Sequence, residues 1–256
     1  SVERPSIKEG FRALLTNKPV LRSLLARVLG GFSISAGNGQ QDYFIDVLGS
    51  ATLLTAVNVP SGFVGSASYA LVQPLRRRYS SKALWVFEDI YTRVIWIAVF
   101  LLGLPNKNYQ KRVFMGVLFG LQAFFEKAVF GVRKVINTEL NNEAMDYCEW
   151  KNGYRVEATT SVVINLVTKI QEVIMRSVRL LLLNKIGYRP GIAVGTQSER
   201  TKLWMFALCT GVPVITGALA VVPKFFYPLS GAMRTQMYNE LHDRRGETVR
   251  AMTGDE

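Results

Sequence analysis

Six stretches of this chain are each apolar over about 20 residues or more: roughly 20–46, 52–75, 83–104, 112–145, 158–183 and 202–226. A hydrocarbon layer about 30 Å thick takes about 20 residues of α-helix to cross, and backbone inside it must satisfy its own hydrogen bonds. The apolar residues fall in long blocks rather than in amphipathic stripes. Such blocks leave few alternatives to a bundle of membrane-spanning helices. Gly30, Gly31, Pro60, Gly62, Gly131 and Pro213 lie within them, and membrane helices tolerate these residues better than soluble ones do. Apolar residues make up 49% of the chain and the mean hydropathy is positive. The expectation is an all-α polytopic membrane protein with a six-helix transmembrane bundle over 18–227. A short approach segment precedes it over 1–17, and a polar tail follows over 228–256.

The net charge of +12 has a simple origin on this reading. Basic residues gather at Arg4 to Lys18, Arg76 to Lys82, Lys151 to Arg155 and Arg234 to Arg250. If six helices alternate, all four groups fall on one side, so the positive-inside rule predicts a multi-pass plasma-membrane protein with both termini cytoplasmic. Lys107, Lys111, Lys185 and Arg189 fall on the other side. No basic stripe is interleaved with stacking aromatics, so a nucleic-acid partner is not expected. Cys148 and Cys209 form neither a disulfide framework nor a metal-ligand spacing, and His242 reads as a solvated tail residue. The chain does not begin with Met, which suggests part of a longer protein.

The most informative span is "SVVINLVTKIQEVIMRSVRLLLL", Ser161 to Leu183. Asn165, Lys169, Glu172, Arg176 and Arg179 are spaced four, three, four and three, which places all five on one narrow helix face. A charge at mid-bilayer costs about 2.5–3.5 kcal/mol, so gathering four on one face removes them from lipid, into a bundle interior or a wet cavity. Lys169 and Glu172 near the middle read as pathway-lining residues. Arg179 reads as snorkelling toward an interface. Gln122, Glu126, Arg133 and Asn137 share one face of the fourth block. Glu88, Asp89 and Arg93 come early in the third and read as charges near its interfacial end. In the first block Asn38, Gln40 and Gln41 offer hydrogen bonds suited to a hydroxyl-rich ligand or to helix–helix contact. Tyr43 and Phe44 read as interfacial aromatics.

Between the fourth and fifth blocks lies "MDYCEWKNGYRVEA", read as a charged loop. Its Asp146, Tyr147, Glu149, Trp150, Lys151, Gly153 and Arg155 give the pattern Asp-Tyr-x-Glu-Trp/Tyr-Lys-x-Gly-x-Arg. Glu143 stands three residues before the Asp, Lys169 is in the middle of the next span, and Gly187, Tyr188 and Pro190 close that span. "YFIDVLGS" ends the first block. These features resemble the glycoside–pentoside–hexuronide:cation symporters, the melibiose-carrier-like family of the major facilitator superfamily. The resemblance covers nearly the whole chain and aligns it with helices seven to twelve of a twelve-helix fold.

What the resemblance implies is a secondary active transporter, with this chain as its C-terminal half and an N-terminal six-helix half as partner. The substrate would be a sugar or glycoside moved by alternating access with H+ or Na+. The coupling-cation site would lie mainly in the N-terminal half, and no other cofactor is implied. Lys169 would lie near the sugar and cation sites. Glu143, Asp146, Tyr147, Glu149, Lys151 and Arg155 would belong to a cytoplasmic gate. After Lys169 the chain departs from the family, with Gln171, Glu172, Arg176 and Arg179 where small residues are common. That extra positive charge could serve an anionic sugar such as a uronide, or compensate acids in the other half. The alternative function is a non-transporting membrane sensor or orphan half on the same scaffold. An enzyme is not expected, because the sequence shows no metal-ligand cluster and no nucleophile–base arrangement.

Overall fold

The computed structural model describes residues 7–32, 39–229 and 231–253. Among them every regular element is helical. Helices α1 (Ile7–Thr16) and α2 (Lys18–Gly31) lead to a π-helical turn at Tyr43–Val47. Then come α3 (Ala51–Ala67), a 3₁₀ turn and α4 (Val72–Arg78), followed by α5 (Ser81–Gly103). Helices α6 (Arg112–Ala128) and α7 (Phe130–Asn152) are nearly continuous, and α8 (Glu157–Lys185), α9 (Glu199–Phe225) and α10 (Ala232–Thr253) complete the chain. Each predicted block coincides with one or two of these helices. Among the described residues, α9 alone is long and apolar enough to cross a bilayer, and α6 with α7 passes as a pair bent by 42°.

Local chemistry sets the boundaries. Ser50, Ser80 and Ser198 each accept a hydrogen bond from the backbone N–H three residues on, satisfying donors that a helix start leaves open. Asn17 does the same for Val20 and also donates to the Ala144 carbonyl at 2.8 Å, so the start of α2 is tied to α7. The bend between α6 and α7 sits at Val129. Ser68 fills the break by accepting from the Gly131 N–H at 2.7 Å, a group that membrane interior could not leave unpaired. Only glycine fits there, because a Cβ on Gly131 would lie 2.6 Å from the Tyr69 backbone nitrogen.

Helix α9 packs on both α5 and α2, α3 packs on α6, and α8 lies at the edge against α2 and α1. Two apolar clusters hold the bundle. One, at the end away from the tail, gathers Tyr43, Phe44, Met115, Phe119 and Phe206. The other, at the tail end, gathers Trp85, Ile136, Leu140, Tyr227, Met237 and Leu241. Tyr43 and Phe44 are therefore core residues and not interfacial aromatics. The π turn swings them inward, where both rings meet Phe119 and Tyr43 also meets Phe206.

A second correction concerns "MDYCEWKN". These residues are the last turns of α7 rather than a loop, and Cys148 is buried within them. Gly153, at φ +79°, ends the helix in the left-handed conformation, and its N–H bonds back to the Glu149 carbonyl. The tail is likewise a helix, α10, lying on α7.

Candidate functional site

The polar residues fall into four groups. At the centre of the bundle, between the two apolar clusters, is a network of acidic and basic side chains. Arg133 on α7 pairs with Glu88 on α5, whose side chain is 4% exposed, and donates to Thr92 at 3.0 Å. It also lies 3.5 Å from Glu126, which accepts a hydrogen bond from Gln122 at 2.5 Å. The sequence-predicted Gln122, Glu126 and Arg133 are thus brought together across the 42° bend. Next to them Lys224 of α9 pairs with Asp89 at 2.5 Å, and Arg93 donates to the Pro213 carbonyl. Glu88, Asp89 and Arg93, read from sequence as interfacial, are central because α5 begins at Ser81 and carries them two turns inward. Lys224 and Thr92 were missed. Lys224 had no visible partner, since Asp89 is far away in the sequence.

A cavity of about 470 Å³ adjoins this network. Its wall takes Arg27 from α2, Asp89 and Arg93 from α5, Arg133, Lys134 and Asn137 from α7, and Lys224 from α9. Gly217 gives Arg93 its place, since a Cβ there would collide with the Arg93 side chain.

The second group is a pair of uncovered polar faces. On α7, Lys134, Asn137, Thr138, Asn141 and Asn142 share one exposed face. On α8, Asn165, Lys169 and Arg176 are exposed, Glu172 is partly so, and Lys169 reaches Glu172 at 2.9 Å with its own side chain 75% exposed. The packed side of α8 is a different one. It carries Thr160, Gln171 and Met175, and Gln171 donates to the Val28 carbonyl of α2 at 2.6 Å. The stripe from Asn165 to Arg176 therefore faces away from this bundle rather than into its interior, while Arg179 at its end turns in. A smaller cavity between α2, α7 and α8 is lined by Asn141, Asn142, Thr160 and Ser161.

The third group lies at the tail end, where α10 grips the end of α7. Arg234 donates to Glu143 at 2.7 Å, Tyr238 to Asp146 at 3.3 Å, and Arg245 to Glu149 at 2.7 Å. Trp150 donates its indole N–H to Glu240 at 2.6 Å. Arg155 reaches Glu157 at 2.9 Å, Asp146 at 3.4 Å and Glu149 at 3.9 Å. Lys151 stacks over Trp150 at 4.1 Å, and Tyr147 is buried in the tail-end cluster. Burial first, then the carboxylates of Glu143 and Asp146, push the Tyr238 phenol up to about 12. The bond that Arg245 donates to Glu149 raises the guanidinium pKa, and the bond from Trp150 lowers that of Glu240. All six sequence-predicted gate residues are in this assembly. Their partners on α10 were not foreseen.

The fourth group closes the other end. Arg179, expected to snorkel, instead pairs with Asp42, and Tyr188 donates to Asp46 at 2.9 Å. Burial and the Asp46 contact push the Tyr188 phenol up to about 12, so it remains a donor at any ordinary pH. Gln41 is exposed nearby, and Asn38 lies outside the described residues. Among the described residues no three His, Cys, Asp or Glu side chains converge as a metal site would require.

The family described as MFS/sugar transport protein matches residues 1–231. The chain belongs to this family. MFS sugar-transport proteins are membrane transporters and not enzymes. Among the relatives is the uncharacterized symporter YjmB of Bacillus subtilis (strain 168), 26% identical over 94% of this chain and 50% of that protein. A Salmonella typhimurium (strain LT2) protein whose name proposes a sulfoquinovose importer is 27% identical, over 94% of this chain and 49% of its own length. An Escherichia coli (strain K12) protein whose name proposes a 2,3-dihydroxypropane-1-sulfonate exporter is 25% identical, over 95% and 50%. The chain spans about half the length of the curated relatives it matches.

Proposed function

We propose that this chain forms the C-terminal half of a twelve-helix secondary transporter of the melibiose-carrier type. It carries a sugar or glycoside across the membrane by alternating access, coupled to H+ or Na+. The observation that carries the reading is the uncovered polar face of α7, where Lys134, Asn137, Thr138, Asn141 and Asn142 run along a helix pair of membrane-spanning length. Amides and hydroxyls in such a place are costly against lipid and useful against a polyhydroxylated solute. The charged face of α8 has the same logic. Both lie where an N-terminal half would close a central path, and that half would contribute most of the cation site.

The relatives support this reading. One is named a symporter, and two carry names of small polyhydroxylated sulfonates. The positive-inside rule assigns the tail end to the cytoplasm, which makes the assembly of Glu143, Asp146, Glu149 and Arg155 with α10 the cytoplasmic gate. Six spans, with both termini cytoplasmic and the plasma membrane as location, complete the proposal.

The test is uptake of labelled sugars into proteoliposomes containing the full-length protein, with and without imposed Na+ and H+ gradients. Gradient-dependent accumulation of one sugar class is expected. Binding of sugars with no movement under any gradient would replace the transporter with a sensor on the same scaffold.

A further inference from the structure

We infer that Gln171 is a positioning residue for transport: its bond to the end of α2 sets the rotation of α8 and so holds Lys169 toward the transport path. This rests on the transporter reading and adds a residue that the reading does not use. Gln171 is 8% exposed and donates its side-chain amide to the Val28 carbonyl at 2.6 Å. Val28 belongs to the last turn of α2, where a helix leaves its carbonyls without partners of its own. The Phe32 N–H, which a continuing helix would send to Val28, bonds to the Gly30 carbonyl instead. The Gln171 amide therefore acts as a cap supplied by a neighbouring helix. Gly31 makes the room for it, since a Cβ there would collide with that same amide.

With 3.6 residues to a turn, Gln171 stands about 200° round α8 from Lys169. A tie at the back of the helix fixes what the front presents. Thr160, Gln171 and Met175 are the side chains buried along this side. Met175 is apolar and sets no direction, and the Thr160 hydroxyl is buried without a hydrogen-bond partner. The directional bond at mid-helix is thus the one from Gln171. The next is the pair of Arg179 with Asp42, about two turns further on. Rotating α8 by one residue, about 100°, would put Ile170 where Lys169 stands. An isoleucine there offers a polar solute nothing. The departure from the family pattern at Gln171 therefore acts on the packed side of the helix, through α2, and not by touching the solute.

The experiment uses the full-length protein with its native cysteines replaced and spin labels on cysteines placed at Asn165 of α8 and Asn141 of α7, both on exposed faces. Pulsed EPR in detergent should give a shifted or broadened distance distribution for Gln171→Ala relative to its parent. Gly31→Ala should do the same with Gln171 intact, by evicting the amide. Added to Gln171→Ala it should do little more, because the methyl group then has room. Uptake of labelled glucose and glucuronate into proteoliposomes is measured on the unlabelled proteins. Gln171→Ala should raise KM about ten-fold, with kcat per folded molecule within about three-fold of the parent. Distances that stay put in both single variants overturn the inference. So does a variant whose yield or Tm falls while KM is unchanged, and so does full additivity of the two substitutions. A parent that moves neither sugar sinks the transporter reading, while the distances still decide whether Gln171 sets α8.

Discussion

Arg234 reaches across from the C-terminal helix to place its Nε 2.7 Å from the carboxylate of Glu143, whose side chain is 2% exposed. One surface residue of α10 thereby neutralises a charge inside α7. Glu139 shares the same guanidinium at 3.5 Å and is itself held by Arg76 at 2.7 Å.

Arg234→Gln strands the Glu143 charge. Breaking a buried pair costs about 3–5 kcal/mol, and the 40% exposure of Arg234 reduces this to about 2 kcal/mol. Thermal unfolding in detergent should show a clear fall in Tm. Adding Glu143→Gln should restore most of it. If the double variant is no better than the single one, Glu143 is not the reason for the loss.

Acid should release the tail. Trp150 lowers the Glu240 pKa below its ordinary value of 4.5, so its bond to Trp150 stabilises docking above that value. The contribution disappears as pH falls through the depressed folded-state pKa. Hydrogen exchange over 232–246, corrected for intrinsic rates, should therefore rise below about pH 4.5. Glu240→Gln should reduce that rise. Undiminished pH dependence in the variant would show that Glu240 is not the group responsible.

Gly217→Ala puts a methyl group where Arg93 now passes. Arg93 must then leave the Pro213 carbonyl and the cavity wall, and overpacking of this kind costs about 1–3 kcal/mol. Adding Arg93→Ala should recover stability, because the clash is gone. A single variant with unchanged Tm would mean that Arg93 moves aside freely.

Lys169 and Glu172 pair with each other, and among the described residues no ion pair ties either to another helix. Lys169→Met with Glu172→Gln should therefore change stability by less than about 0.5 kcal/mol. If the face lines the transport path, the same double variant should insert normally and lose coupled uptake. Near-normal uptake would confine the pair to architecture.

The helices were legible because block length is a local property; the serine caps, equally local, went unread. Ser50, Ser80 and Ser198 announce their helices within four residues. What a face meets was not legible. The stripe on α8 is visible in its spacing, but only the fold shows that Gln171, and not Lys169, is the residue packed on α2. The central network failed to appear for the same reason. Glu88 and Arg133, or Asp89 and Lys224, are ordinary charges until distant segments are brought together. The charged residues from Glu143 to Arg155 were visible through a family pattern, while their clamp lay in a tail that composition marks only as polar.

The apolar clusters sit at the two ends of the bundle, and its waist is fastened by ion pairs. Grease permits sliding by small amounts in any direction. A guanidinium between carboxylates does not, since its bonds are directional and each partner is either engaged or lost. Arg133 holds Glu88 of α5 and Glu126 of α6 at the same time, so moving either helix against α7 breaks a directional bond. Sliding of α5 against α7 is thereby resisted at the waist, and small adjustments fall to the apolar ends.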